Sequence, residues 1–426
     1  MAGDAALEKL GPEHLTTLYE ITRSMNSSLD FDRVLNQVMD SVIQLTKAER
    51  GVLMIADADT GELRVQVAHN ISGELLETED AYSTTIVNQV VESRQSLLTN
   101  NAMFDERYTP GQSIIMRGLR AILCAPMLVK DRLVGVIYVD TAMRTGNFSE
   151  ADRDLLAAVA GQAGIAIENA RLYGVAVEKG RLERELQMGR EMQQALMPRQ
   201  MPQPPGYEVA ATWQAARELA GDFYDGFLLD GGSLGVVIAD VSDKGTPAAL
   251  FMAVSRSFIR SYAYAGLSPV ETLRCTNDLI LDDSESGMFV TAYYSVFQPD
   301  GHSVHVNAGH NQPVLYQHAS REVSWMPRGG RAIGWFPDNP VEEVVLQLSP
   351  GDMLVYYTDG LTEAENSAGD YYGEDRLAQV IIAAAEQPID AVVAHIVAEV
   401  ERFADGEPLF DDLTLVVVRF TGQSED

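Results

Sequence analysis

Four prolines, at 198, 202, 204 and 205, fall between Met197 and Gly206. Proline has no amide hydrogen to donate and fixes φ, so neither a helix nor an inner strand runs through such a stretch. The 426-residue chain is thereby cut into halves of about 200 residues, each long enough for a core of its own. Apolar residues make up 46% of the chain, which excludes wholesale disorder. Charge excludes more. Lys and Arg number 31 against 62 Asp and Glu, a formal net charge of −31. A surface this acidic repels phosphate backbones and anionic lipid, so neither nucleic acid nor membrane is an expected partner. Carboxylates do suit hard divalent cations. The two cysteines, Cys124 and Cys275, make neither a disulfide framework nor a C-x-x-C zinc pair. The opening MAGDAALEKL carries no basic-then-apolar signal. Apolar runs such as Ala121–Val129 fall far short of the roughly 20 residues of a membrane helix. The expectation is a cytoplasmic protein.

The N-terminal half opens with helical periodicity through Leu15, Leu18, Ile21, Leu29, Val34, Val38, Val42 and Leu45, broken at Ser27-Ser28-Leu29-Asp30. The period then changes. Residues 51–56 and 63–68 read as strands around a turn at 57–61, and 121–130 with 133–140 as a second hairpin. Ser149 is placed to cap a long helix running from Glu150 towards Tyr173. Helix, helix, strand pair, helix and loop, strand pair, long helix is an α+β order with one sheet.

The Leu29-Asp-Phe-Asp-Arg-Val-Leu entry, Ala48-Glu-Arg-Gly-Val-Leu, Leu123-Cys-Ala-Pro-Met and Val134-Gly-Val-Ile-Tyr-Val-Asp140 carry a resemblance to the GAF domain, a sensing and dimerising module, over residues 12–172. These signatures specify a fold and no ligand; a small molecule or a regulatory protein is the expected partner there. Cys124, mid-strand among Ile122, Leu123 and Ala125, reads as a buried inert thiol. Asn101, Phe104 and Asp105 partly echo the signature of cyclic-nucleotide-binding GAF domains, and an Asx turn explains Asn100, Asn101 and Asp105 as well. Residues 173–198 form a charged, helix-favouring linker. Leu182, Leu186, Gly189 and Leu196 step by 4, 3 and 7, a short imperfect heptad stripe. A solvated helix packed on its own domain and a dimeric coiled coil joining sensor to effector both fit it, and a homodimer is expected from the second.

From Tyr207 the chain alternates strands, turns and helices. Strands are expected at 234–240, 288–297, 302–308, 313–317, 353–358 and 413–420, with one helix beginning at Thr246/Pro247 and another after Ser268-Pro269. This pattern predicts two packed sheets with helices outside them. Acids stand at strand ends or tight turns in Gly221-Asp-Phe-Tyr-Asp225, Asp240-Val-Ser-Asp-Lys-Gly245, Tyr357-Thr-Asp-Gly-Leu-Thr-Glu363 and Asp411-Asp-Leu-Thr414, each beside Gly, Ser or Thr. Carboxylates repel one another, so gathering several in one place is costly unless a cation neutralises them. An oxygen set without His or Cys selects Mg²⁺ or Mn²⁺ over zinc.

Those blocks, together with Asn307-Ala-Gly-His-Asn-Gln-Pro313 and the continuation Thr246-Pro-Ala-Ala-Leu250, resemble the SpoIIE-type branch of the metal-dependent (PPM) serine/threonine phosphatases, from about Gln193 to Phe420. Gln193-Gln-Ala-Leu-Met-Pro198 resembles the short lead-in helix of that family. The expected architecture is therefore α+β: a GAF domain at 12–172 with one antiparallel sheet, a helical linker at 173–198, and a PPM-type αββα sandwich at 199–422. One departure is Ser242-Asp243-Lys244-Gly245, where many members carry a Ser-Gly-His-Gly turn.

By resemblance, Asp240 bridges two Mn²⁺ or Mg²⁺ ions and the Val241 carbonyl serves one of them. Asp222 holds the first ion, and Asp359 and Asp411 the second, with Asp412 as the alternative to Asp411. Asp225 reads as a structural acid, and His310 as a hydrogen-bonded turn residue rather than a general acid. Two ions about 3.5–4 Å apart lower the pKa of a shared water and set it in line with phosphorus. No cysteine-nucleophile loop is present, since Lys130 and Leu281, rather than arginine, stand six residues after Cys124 and Cys275.

The family implies a phosphoserine or phosphothreonine on a STAS-fold anti-sigma-factor antagonist as substrate. It also implies that the two helices after Asp240 act as a regulatory switch. Lys244, Arg256, Arg260 and Arg274 are the candidate local positive charges. A non-catalytic regulator that binds a partner through a phosphatase-like surface is the competing reading. A nucleotide cyclase, suggested by Ala220-Gly-Asp-Phe, has no place for the downstream blocks.

Overall fold

The structure, a computed structural model, describes residues 12–25, 28–58, 60–73, 81–100, 121–141, 148–283, 287–337 and 339–422. It divides into two compact units at Leu182/Glu183.

In the first unit, α1 (Pro12–Met25) and α2 (Phe31–Thr46) precede the hairpin β1 (Arg50–Ala56) and β2 (Leu63–His69). Then come α3 (Thr84–Ser93), β3 (Leu97–Thr99), β4 (Ala121–Val129), β5 (Arg132–Thr141) and the start of α4 (Glu150–Leu196). The strands form one antiparallel sheet in the order β2-β1-β5-β4-β3. Alternation along the strands sends Leu53, Leu123, Ala125, Ile137 and Val139 into a core with α1, α2 and α4. Val52, Met54, Ile122, Cys124, Val136 and Tyr138 go to the opposite face, with α3.

Helix ends follow the residues available there. The Arg33 amide donates to Asp30 Oδ1 at the start of α2. Ser149 and Asp152 cap α4 reciprocally, as the sequence suggests. Cys124 is fully buried, and burial pushes its thiol pKa far up, in keeping with an inert thiol. The Asn100 side chain brackets the backbone of Phe148, donating from Nδ2 to the carbonyl (2.7 Å) and accepting at Oδ1 from the amide (2.9 Å). Asn101, Phe104 and Asp105 lie outside the described residues.

The second unit is a four-layer sandwich. One sheet runs β13-β10-β9-β8-β7 and the other β12-β11-β14-β15-β6, both antiparallel. Their members are β6 (Tyr207–Gln214), β7 (Phe223–Leu228), β8 (Leu234–Val241), β9 (Val290–Phe297), β10 (His302–Ala308), β11 (Val314–Gln317), β12 (Glu322–Trp325), β13 (Glu343–Gln347), β14 (Met353–Tyr357) and β15 (Leu413–Phe420). Helices α5 (Thr246–Tyr264) and α6 (Pro269–Asp283) cover the first sheet. A single-turn helix α7 (Asp359–Thr362) follows β14, and α8 (Glu374–Ala384) and α9 (Ile389–Ala404) cover the second sheet.

Strand β15 shows why the layers form. Leu413, Leu415 and Val417 face α8 and α9, while Val416, Val418 and Phe420 face the other sheet, so apolar residues on both faces place it inside the sandwich. Between the sheets, Tyr356 donates to Ser295 Oγ (2.9 Å), and His305 pairs with Ser295 and Ser303 (2.9 Å each). The expected strands stand as β8, β9, β10, β11, β14 and β15, with α5 and α6 in their expected places. The strands β6, β7, β12 and β13 and the helices α8 and α9 are not among the elements expected from sequence.

Candidate active site

The acids meet at the ends of strands from both sheets. Asp240 is the penultimate residue of β8 and pairs in register with Thr291 of β9. Asp222 immediately precedes β7, Asp359 opens α7 at the end of β14, and Asp411 and Asp412 precede β15. Neighbouring charges link them: Asp222 lies beside Asp240, Asp240 beside Asp359 and Asp411, and Asp359 beside Asp411. The cleft at this point is lined by Ala216, Gly221, Asp240, Lys244, Phe410 and Asp411 among others.

Asp412 organises the loop that carries Asp222. Only 6% exposed, it accepts from the Ala216 amide at Oδ1 and from the Gly221 amide at Oδ2, both at 2.9 Å. Gln193, near the end of α4, closes the same loop from the other side. Its Nε2 donates to the Ala220 carbonyl (2.8 Å) and its Oε1 accepts from the Ala220 amide (3.1 Å). Asp222 itself accepts from Thr414 Oγ1 at 2.7 Å. A Cβ on Gly221 would stand 3.0 Å from the Val241 carbonyl oxygen, so that carbonyl lies directly against the Asp222 loop. A Cβ on Gly360 would stand 2.2 Å from the Asp412 carbonyl oxygen, so only glycine lets α7 lie against the Asp411–Asp412 backbone. Close approach, rather than turn formation, is what these two glycines supply.

Electrostatics mark the cluster as only partly neutralised by protein groups, with the Lys244 ammonium on Asp411. Burial, then the charges of Asp240 and Asp412, push the Asp222 carboxyl well above the usual range. Burial, then Asp359, push Asp240 up to about 7 against the relief of its hydrogen bond with Asp222. Asp359 and Asp412 are raised chiefly by burial. Glu363, unassigned from sequence, is raised by burial and then by Asp359 and Asp411.

An all-oxygen, mutually repelling, largely buried donor set fits hard divalent cations by its chemistry. Among the described residues, no group of three or more His, Cys, Asp or Glu side chains is gathered closely enough to hold an ion as it stands.

The remaining candidates fall outside the cluster or are already engaged. Asp225 is buried and paired with Arg256 (Nη2 to Oδ2, 2.9 Å) and Arg260 (Nη1 to Oδ1, 2.9 Å), which ties α5 to β7. Those two arginines are thus committed to Asp225 rather than held ready for a substrate. Arg274 is exposed on α6. His310 is buried. Its Nδ1 meets Thr291 Oγ1 at 2.8 Å and its amide donates to Asn307 Oδ1 at 2.8 Å, as befits a turn residue. Burial lowers its pKa to about 4.

Comparison with known proteins bears on both units. The GAF domain model matches residues 30–167, and the model "Stage II sporulation protein E (SpoIIE)" matches residues 230–421. The chain joins a GAF domain to a SpoIIE-type PPM phosphatase domain. The second match begins after Asp222, so the place of that residue in the cluster is read from its geometry. Protein IcfG of Synechocystis sp. is 29% identical over 306 residues, 64% of this chain, and the chain spans only 47% of IcfG. Phosphoserine phosphatase RsbU of Bacillus subtilis is 28% identical over 253 residues, 59% of this chain and 74% of RsbU. The SiaA-PP2C domain of Pseudomonas aeruginosa superposes with a TM-score of 0.51 at 22% identity, covering 57% of this chain and 99% of that domain, a likeness of fold.

Proposed function

We propose that this chain is a metal-dependent protein phosphatase acting on phosphoserine or phosphothreonine. The observation that carries the reading is the chain of neighbouring charges through Asp222, Asp240, Asp359 and Asp411, from four segments far apart in sequence, with Asp240 and Asp411 lining one cleft. Asp240 with the Val241 carbonyl would join two Mn²⁺ or Mg²⁺ ions, Asp222 would serve the first, and Asp359 and Asp411 the second. Bound ions supply charge neutralisation at the phosphoryl oxygens and acidify water for in-line attack. The protein's own part is to hold these acids in register. Thr414 fixes Asp222, Thr291 lies against the Asp240 carbonyl (3.4 Å), and Asp412 and Gln193 fix the loop before Asp222.

Asp240→Asn tests the reading. Release of phosphate from a phosphoserine protein in Mn²⁺ should fall by on the order of 100-fold or more while circular dichroism stays native. Wild-type rates in that variant would refute it.

A phosphorylated STAS-fold protein is the substrate we expect from the family resemblance, and the names of RsbU and RsbP, both phosphoserine phosphatases of Bacillus subtilis, support phosphoserine as the group acted on. It is the first phosphoprotein to supply in the same assay. We further propose that the GAF domain regulates the phosphatase through a dimeric helical linker at 173–198, in the cytoplasm. Supporting the dimer, α4 between Leu172 and Met192 leaves Leu172, Tyr173, Val175, Val177, Leu182, Met188 and Met192 about half exposed or more. Native mass spectrometry of the purified chain reads both the dimer and any ligand retained by the GAF domain. No described helix is long and apolar enough to cross a membrane.

A further inference from the structure

Residues 242–245 join β8, which carries Asp240, to α5. Ser242 is fixed on Phe289 by two bonds: its amide donates to the Phe289 carbonyl, and its Oγ accepts from the Phe289 amide, both at 2.9 Å. Asp243 takes φ +81°, a left-handed conformation uncommon outside glycine, and its Oδ1 accepts from the Lys244 amide at 2.8 Å. From this pinned turn the Lys244 side chain reaches the loop before β15. Its Nζ lies 2.8 Å from Asp411 Oδ2 and 3.2 Å from the Phe410 carbonyl, and 4.5 Å from the centroid of the Phe410 ring. The same ammonium lowers the pKa of Asp359 and Glu363, so its field reaches the neighbouring acids.

We propose that Lys244 is a positioning residue that competes with the second cation for Asp411 and so sets the affinity of that position. The inference rests on the metal-dependent reading above. A divalent ion at coordination distance from Asp411 and an ammonium at hydrogen-bond distance from the same carboxylate bring like charges within a few ångströms of each other. Uptake of the ion therefore requires Lys244 to withdraw. Arginine at this position keeps the charge, whereas glutamine keeps much of the stem and a polar end without it.

The test is Mn²⁺ binding, followed by the electron paramagnetic resonance signal of free Mn²⁺, in wild type, Lys244→Gln and Lys244→Arg. Circular dichroism checks that all three are folded. Lys244→Gln should tighten the weaker class of sites roughly fivefold, the factor matching about 1 kcal/mol for a part-exposed ion pair. Lys244→Arg should stay close to wild type. If Lys244→Gln binds Mn²⁺ with unchanged or weaker affinity while wild type binds two ions, the competition is overturned and the metal-dependent reading stands. If wild type binds no Mn²⁺, both fall together.

Discussion

At the scale of single residues, the site depends on side chains that touch no reacting atom. Gln193 makes a two-point amide contact with Ala220, two residues from Asp222, and is 5% exposed. Gln193→Ala should release that loop and lower kcat roughly tenfold, with a loss of about 1–2 kcal/mol in urea unfolding for two hydrogen bonds. A variant with wild-type kcat and the same stability loss would reduce Gln193 to a packing role. Asp411 and Asp412 divide their labour in a way their order in sequence does not reveal. Both oxygens of Asp412 are taken by amides of the loop before Asp222, while Asp411 accepts the Asp412 amide at Oδ1 and meets Lys244 with Oδ2. From sequence the two remained interchangeable, because what separates them is which neighbour's amides point inward.

At the scale of elements, α4 carries two characters. Its end is packed on the second unit, with Gly189 against Leu219 and Gln193 buried. Before that, side chains from Leu172 to Glu185 are exposed on nearly every face. Of the heptad stripe read from sequence, Leu182 is 54% exposed, whereas Leu186 and Leu196 are partly buried. A helix exposed all round gains little from its own chain. Leu182→Glu should therefore shift the chain from dimer to monomer in sedimentation equilibrium with little change in helical signal, and a wild-type monomer at micromolar concentration would remove the dimeric linker.

Strand legibility followed unbroken apolar runs more than burial: β7 is buried at five of six positions, yet Asp225 and Gly226 interrupt it and it does not read as a strand. β8, β9, β14 and β15 are apolar runs with turn residues at their ends and were readable. β12 and β13 are edge strands of 4 and 5 residues, in which half-buried and exposed positions alternate with charge, so their composition resembles loop. The acid cluster was legible as a set of turn aspartates beside small residues. The Lys244–Asp411 contact was not, since it joins segments whose meeting is decided by the sandwich alone.

At the scale of the whole molecule, the cluster makes stability depend on pH. Asp222 and Asp240 hold protons more tightly folded than unfolded, with Asp240 near 7 against an ordinary 3.8. The folded state then binds more protons, so this stability is present at low pH and is lost as pH rises through about 7. In EDTA, the Asp240 share of the unfolding free energy, read as wild type minus Asp240→Asn, should fall by roughly 1 kcal/mol per pH unit between about pH 5 and pH 7 and level off above it. Saturating Mn²⁺ should flatten that slope. A flat profile in EDTA would mean that the carboxyls are not in repulsive contact. Below pH 6.5 the buried imidazoles of His305 and His310, lowered by burial to about 3 and about 4, pull the other way, because only the unfolded chain takes up their protons.

The register of β15 has a further consequence for biogenesis. Among the described residues, β6, the first strand of the second unit, pairs only with β15, the last, from Leu413 opposite Gln214 to Phe420 opposite Tyr207. Thr414 of the same strand anchors Asp222. While the ribosome is still translating residue 400, β6 has no neighbour and Asp222 no hydroxyl to hold it. Contacts this distant along the chain form late and slowly. The sheet edge at β6 and the hydroxyl that holds Asp222 are thus completed only once β15 has been made.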